Sequence, residues 1–321
     1  MVEVTNLSKS YGDKLALDGV SFSIGLGQVV GLLGLNGAGK STTMNILTGY
    51  ISASEGQVKM DGHDILSEGN KAKGLIGYLP EQPSFYPEMR VDEHLHFICD
   101  LKGLTKNKSE RKAHLEEICE RVGISHVGRR MVRNLSKGYR QRVGFAQALL
   151  GYPKVIILDE PTAGLDPSQI IEMRKLIKEC GKTSTVIVSS HILFEVGTVC
   201  ERIIVIHEGR LIADDTPENL MAGTESLGKL FVEIKGSQEK VKEALSSIPN
   251  IAQVNPLGQI QENVVEVAIS PKEGCDVRED VFRTLAQFDL PLMSSRSANA
   301  SLEDVFLRMT RSNNGEEVKA E

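Results

Sequence analysis

Two adjacent carboxylates, Asp159 and Glu160, close the apolar run VIILDE, and they sit inside the stretch NLSKGYRQRVGFAQALLGYPKVIILDEPTAGLD from Asn134 to Asp166. One carboxylate at the end of a buried strand can organise a metal ion while its neighbour handles a water, a division of labour that nucleotide hydrolysis requires. Such chemistry needs a phosphate cradle. One lies upstream at GLNGAGKS, where Gly34, Gly39, Lys40 and Ser41 fill the four specified positions of a P-loop, with Asn36, Gly37 and Ala38 between them. Glycines there let backbone N–H groups wrap phosphate oxygens, Lys40 supplies a cation to the β- and γ-phosphates, and Ser41 offers a hydroxyl to Mg²⁺. Thr42 reaches the α-phosphate from the same helix end, where the dipole favours anions.

The elements that must position these groups are legible as periodicity. QVVGLL reads as a buried strand leading into the loop, and STTMNILTG as a helix whose N-terminus faces it. VIILDE is a second strand, followed by the helix SQIIEMRKLIKECG, the strand STVIVSSH and a helix over ILFEVGTVCERI. Strand, helix, strand in this order suits right-handed crossovers and a mainly parallel sheet. Ahead of them, MVEVTNLSKSYG and ALDGVSFSI alternate as strands around a GDK turn. Between about 85 and 145 the character changes, with helical spacing in VDEHLHFICDLKGL and SERKAHLEEICERVG, so a helical insertion is expected there.

Composition narrows the partners. At 321 residues and 40% hydrophobic content the chain is long enough for one large domain and a smaller one. A net charge of −6 gives no electrostatic case for nucleic acid as a partner, and the basic runs KNKSERK and GRRMVR read as solvated faces. The five cysteines are scattered without CxxC spacing, which indicates neither a disulfide framework nor a zinc site and suits a reducing cytosol. No run approaches the ~20 apolar residues of a membrane span, and the N-terminus lacks the features of a signal peptide. Work at a membrane would require another polypeptide to hold the chain there.

The motifs together, in this order, resemble those of the ATP-binding subunit of an ABC (ATP-binding cassette) transporter over residues 1 to about 220. The resemblance implies an α/β fold of the P-loop NTPase type, with a mainly parallel sheet, an N-terminal antiparallel part and a helical insertion. It implies ATP and Mg²⁺ as cofactors, and it carries further roles onto matching positions. Tyr11 in SKSYGD corresponds to the aromatic that stacks on adenine, a flat ring against a flat base. Gln82 in YLPEQP corresponds to the glutamine that touches Mg²⁺ and the attacking water. Asp159 matches the aspartate that holds Mg²⁺ through water, Glu160 the carboxylate that polarises the attacking water, and His191 the histidine that bridges γ-phosphate and glutamate. His94 and His96 have no such context and read as structural.

The pentad LSKGY departs from the usual LSGGQ of this family: Lys137 replaces a glycine and Tyr139 the glutamine. Ser136 and Gly138 remain, and a hydroxyl and a backbone N–H at a helix N-terminus suit a γ-phosphate. In this family each ATP is held between the P-loop of one subunit and this turn of another. The implied partners are thus a second ATPase subunit, identical or pseudo-symmetric, with Asp166 of AGLD at the seam, and a membrane permease that keeps the chain on the cytoplasmic face of the membrane.

From Leu230 the pattern changes to a small β-α-β-β-α-β unit of ferredoxin-like type. The expected division is an ATPase domain over 1–222, a linker over 223–229, an accessory domain over 230–310 and a polar tail over 311–321. The final helix SLEDVFLRM and the run KGYRQRVG resemble the drug-efflux, sodium-efflux and gliding-motility group of exporters. An export-type subunit is therefore the leading expectation. An import-type subunit lacks support because the β-rich C-terminal domain of sugar importers is missing, and a soluble non-transport ABC protein because there is one cassette and no sustained heptad pattern.

Overall fold

The computed structural model describes residues 2–104, 107–222, 230–261, 263–272 and 274–297. The linker expected at 223–229, the helix SLEDVFLRM and the polar tail lie outside the described residues. Packing divides the chain into a unit of residues 1–217 and a unit of residues 218–321.

The first unit is built on a six-stranded sheet in the order Arg210–Asp215, Arg202–His207, Val29–Leu33, Thr185–Ser190, Val155–Asp159, Ile76–Leu79. Every neighbouring pair is parallel except the hairpin formed by the first two strands. VVGLL and VIILD are buried at every position, as strands covered on both faces must be. A second, antiparallel sheet of Lys14–Ile24, Val2–Tyr11, Glu55–Met60 and His63–Asp64 faces it. The core between them packs Val4, Leu7 and Val58 with Leu32, Ile157 and Ile187 around Met44 and Leu47 of the helix Lys40–Leu47.

The helix expected over ILFEVGTVCERI is confined to Leu193–Gly197, and RIIVIH instead forms the strand Arg202–His207. Its buried Ile203, Ile204, Val205 and Ile206 are β-branched and fit a pleated sheet better than a helix. Glu208 and Gly209, at φ 46° and 78°, close a two-residue turn into the antiparallel strand that follows.

The helical insertion consists of Val91–Leu101, Lys108–Arg121 and Lys137–Leu149. Each start has a local cause. The Glu93 carboxylate accepts from Arg90 N at 2.9 Å, Asn107 Oδ1 accepts from Ser109 N at 3.0 Å, and Ser136 Oγ accepts from Tyr139 N at 3.4 Å. The third helix is pressed onto the strand Ile76–Leu79 at Gly77, where a Cβ would collide with the Ala148 carbonyl. His94 is buried between these helices, its Nε2 3.1 Å from Gln147 Oε1 and its ring edge-on to Phe85. His114 accepts a hydrogen bond from Gly151 N at 3.1 Å, which requires an unprotonated ring nitrogen.

The second unit runs strand Leu230–Lys235, helix Gln238–Ser246, strands Ile251–Gln261 and Val264–Pro271, helix Arg278–Gln287 and strand Leu292–Ser297. The sheet is antiparallel with the hairpin strand Ile251–Gln261 at one edge and Leu292–Ser297 at the other, a ferredoxin-like arrangement. Val241, Leu245, Val281 and Leu285 of the helices cover Val232, Ile234, Val265 and Val267. Ile251–Gln261 is an eleven-residue edge strand. It accommodates Pro256 and Gly258 through irregular register, which an edge strand tolerates.

Burial holds the pKa of both His94 and His114 below the usual 6.5. The unfolded chain therefore binds more protons than the folded one below that value, so stability is full above pH 6.5 and is lost as pH falls below it. Thermal denaturation at pH 7.5 and pH 5.5 is expected to show a loss at the lower pH that shrinks in the double variant His94→Gln, His114→Asn. Equal losses in wild type and variant would show that these histidines do not carry the effect.

Candidate active site

The strand Val29–Leu33 delivers the chain into the loop Gly34–Gly39, and the helix Lys40–Leu47 leaves it. Gly34 has no room for a side chain, since a Cβ would lie 2.5 Å from Ile206 O and 3.0 Å from Ala38 Cβ. Gly39 stands at φ 112°, with Leu17 Cδ2 and Ala16 O at 2.7 and 2.9 Å from the place of its missing Cβ. Ala38 N donates to Leu35 O at 3.1 Å, and Gly209 N donates to Ala38 O at 3.0 Å, so the turn at Glu208–Gly209 braces the loop. Asn36 and Gly37 face solvent, as does Ser41 on the first helical turn, while Thr42 is half-buried.

Lys40 is only 6% exposed, and its Nζ donates to Gly34 O at 2.7 Å and Leu35 O at 3.2 Å. Burial lowers its pKa, and the negative charges of Glu160, Asp159 and Glu81 work against that shift. The amine is thus held in the loop facing carboxylates.

Asp159, 7% exposed, ends its strand directly beside Ser189 of the neighbouring parallel strand. Ser189 Oγ donates to Asp159 Oδ1 at 2.5 Å and accepts from Glu160 N at 2.9 Å. Glu160 turns out of the sheet at φ 48°, and both of its carboxylate oxygens lie 3.1 Å from His191 Nδ1. Burial raises the pKa of both acids; the Ser189 bond opposes it at Asp159 and the His191 bond at Glu160. Just beyond, Thr162 Oγ1 donates to Glu195 Oε2 at 2.6 Å, tying the same two strand exits together again.

Lys40, Asp159, Glu160 and His191 are therefore brought to one edge of the sheet. Gln82 is exposed just past Leu79, whose strand pairs with Leu158, and so emerges at that same edge. Tyr11 is 51% exposed with Lys9 Nζ 5.3 Å from its ring centroid, and its hairpin runs into Ala16 and Leu17, which line Gly39. Two residues escaped the motif reading. Glu81 contributes charge to both Lys40 and Asp159, and Ser189 joins the two acids. Two adjacent serines, Ser189 and Ser190, at the end of an apolar run were the only signal for the latter.

A second cluster surrounds Ser136, Gly138 and Asp166. Gly138 packs so closely on Gln169 that a Cβ would displace that side chain. Asp166 caps the helix Pro167–Gly181, accepting from Ser168 Oγ at 2.6 Å and Gln169 N at 3.0 Å, and these bonds lower its pKa. The two departures in the pentad gain contacts: Tyr139 Oη lies 2.9 Å from His126 Nε2 with the rings edge-to-face, and the Lys137 amine rests against Gly164 of AGLD.

Ser41, Gln82 and Asp159 offer hydroxyl, amide and carboxylate oxygens, the hard donors that suit Mg²⁺ alongside phosphate and water. Among the described residues no group of three or more His, Cys, Asp or Glu could hold a metal by itself.

A family model described as "ABC transporter" matches residues 17–163, from the strand beside the loop to the turn after Glu160. The linearmycin resistance ATP-binding protein LnrL of Bacillus subtilis (strain 168) is 30% identical over 97% of this chain and 98% of its own length. The bacitracin transport ATP-binding protein BcrA of Bacillus licheniformis is 37% identical over 67% of this chain and 69% of its own. A dimeric post-hydrolysis ATP-binding cassette bound to ADP and Pi superposes with a TM-score of 0.62 at 26% identity, covering 68% of this chain and 99% of that one.

Gly34→Ala tests the loop. The added methyl must push away a backbone carbonyl, so affinity for a fluorescent ATP analogue is expected to fall at least about tenfold, an energy of ~1.4 kcal/mol. Unchanged affinity would show that the loop yields without cost.

Proposed function

This chain belongs to the ABC transporter family as an ATP-hydrolysing subunit, and we propose that it powers export through a separate membrane permease. The observation that carries the catalytic part is the convergence of Lys40, Asp159, Glu160 and His191 on one sheet edge. Lys40 and the backbone N–H groups of Asn36 to Gly39 hold the phosphates, and Thr42 adds a hydroxyl at the helix N-terminus. Tyr11 stacks on the base. Ser41, Gln82 and Asp159 would hold Mg²⁺, which would supply positive charge to the phosphates. Glu160, half-buried and held by His191, orients and polarises the attacking water, and His191 bridges it to the γ-phosphate.

The cluster of Ser136, Gly138 and Asp166 acts on a second nucleotide, that of a partner ATPase subunit paired by a two-fold axis. The similar dimeric cassette with ADP and Pi supports this reading. Nucleotide then joins opposed donor groups across the seam, and hydrolysis releases them.

Export is favoured because one similar protein is named for resistance to linearmycin and another for bacitracin transport. A separate membrane permease holds the chain on the inner face of the membrane; among the described residues no helix is long and apolar enough to cross it. The ferredoxin-like unit serves as a dimerisation or regulatory module.

Glu160→Gln is expected to abolish steady-state hydrolysis, retain ATP binding and accumulate an ATP-dependent dimer by size-exclusion chromatography; turnover near wild type would remove Glu160 from its role. Mixing inactive Lys40→Ala and Ser136→Arg subunits should restore hydrolysis, because each heterodimer rebuilds one intact site. Intact dimers without recovered activity would contradict the shared site. Loss of the gene together with its permease should sensitise cells to an exported antibiotic, whereas impaired uptake of a nutrient would point to import.

A further inference from the structure

We propose that Ser189 is a positioning residue for hydrolysis, its hydroxyl locking the carboxylate of Asp159 to the backbone turn that aims Glu160. The inference rests on the site reading above and adds to it a residue outside the motifs. Ser189 is fully buried, at 0% exposure, in the strand Thr185–Ser190. A hydroxyl carries one proton. Donated to Asp159 Oδ1, that proton leaves the oxygen lone pairs free to accept from Glu160 N, and both bonds are present, at 2.5 and 2.9 Å.

Strand pairing explains neither bond. Parallel register places Asp159 beside Ser189 and would do so equally for valine, the residue type at 186 and 188. The hydroxyl does what the backbone ladder cannot. At Glu160 the chain leaves the sheet with φ 48°, a left-handed conformation that side chains with a Cβ rarely adopt. Ser189 gives the Glu160 N–H an acceptor in that turn, and the same oxygen fixes the orientation of Asp159. Two residues on, His191 holds the Glu160 carboxylate at 3.1 Å. One strand end therefore positions the metal-binding acid, the backbone of the water-orienting acid and the side chain of that same acid.

Thr and Val have nearly the same shape, so the pair Ser189→Thr and Ser189→Val isolates the hydroxyl, and both types suit a buried strand. The expected result is a kcat for Ser189→Val about 10- to 100-fold below that of Ser189→Thr, the range typical of outer-shell partners, with KM for ATP within about threefold. A second readout is independent of turnover. In titrations of a fluorescent ATP analogue, the Mg²⁺ concentration that gives half of the Mg²⁺-dependent change should rise at least about threefold in Ser189→Val but not in Ser189→Thr, while binding in EDTA stays the same. Equal kcat and equal Mg²⁺ dependence in the two variants would overturn the proposal. Glu160→Gln serves as the control: if it remains active, the site reading itself falls, whereas an inactive Glu160→Gln with equivalent Thr and Val variants removes only the role of Ser189.

Discussion

The parallel pairing of Val155–Asp159 with Thr185–Ser190 is the constraint on which the rest of the site depends. Both strands are buried along their whole length, so their register is set by the packing of the apolar residues 155–158 beside 186–188 before Asp159 and Ser189 are reached. Where they end, that register presents Asp159 to Ser189, then Glu160 to His191, then Thr162 to Glu195. A shift by one residue would face every one of these groups with the wrong partner. Hydrophobic burial thus supplies the precision that the polar contacts use.

That placement has an electrostatic cost which the loop at Gly34–Gly39 offsets. Two acids close to the core are pushed toward the neutral form by burial, and Lys40 is pushed the same way from the opposite sign. The attraction between Lys40 and the acids opposes these shifts, of which burial is the larger cause in each group. Lys40 is anchored to Gly34 O and Leu35 O, so the cation is fixed by the same loop that offers backbone N–H groups to phosphate. Glu81 adds a third negative charge within reach of both Lys40 and Asp159. A polyanion entering this site would meet donors already oriented, with little reorganisation left to perform.

What was legible in the sequence follows the same physics. The loop could be read because its glycines, Lys40 and Ser41 fall at a fixed spacing along one short run, and the acids because a run of four apolar residues, 155–158, ends at them. The ferredoxin-like unit was legible from alternation and helical spacing alone. Ser189 and Glu81 were not, because their partners are distant in sequence and the register that joins them exists only in the folded sheet. The strand Arg202–His207 was missed for a related reason: a short buried apolar run has no period of its own, and its parallel place beside Val29–Leu33 decides it. Tyr139 also needed its neighbour, since only the fold brings His126 under its ring.

The departures in LSKGY acquire a physical meaning from these contacts. Tyr139 is committed within its own subunit to His126, so the pentad's fifth side chain stabilises the turn from behind instead of reaching outward. Ser136 Oγ, by contrast, accepts from Tyr139 N at 3.4 Å, long for a cap, and is exposed. A weakly engaged hydroxyl at the N-terminus of a thirteen-residue helix gives up little by turning to an anion. Lys137 places its amine against Gly164, linking this turn to the AGLD segment that begins only a few residues after Glu160. In the proposed dimer a subunit's own acids and the turn it lends to its partner would then be mechanically continuous, joined through Thr162, Gly164 and Lys137. Binding at one nucleotide would be felt at the other through a segment a few residues long, without rearranging the sheet that both depend on.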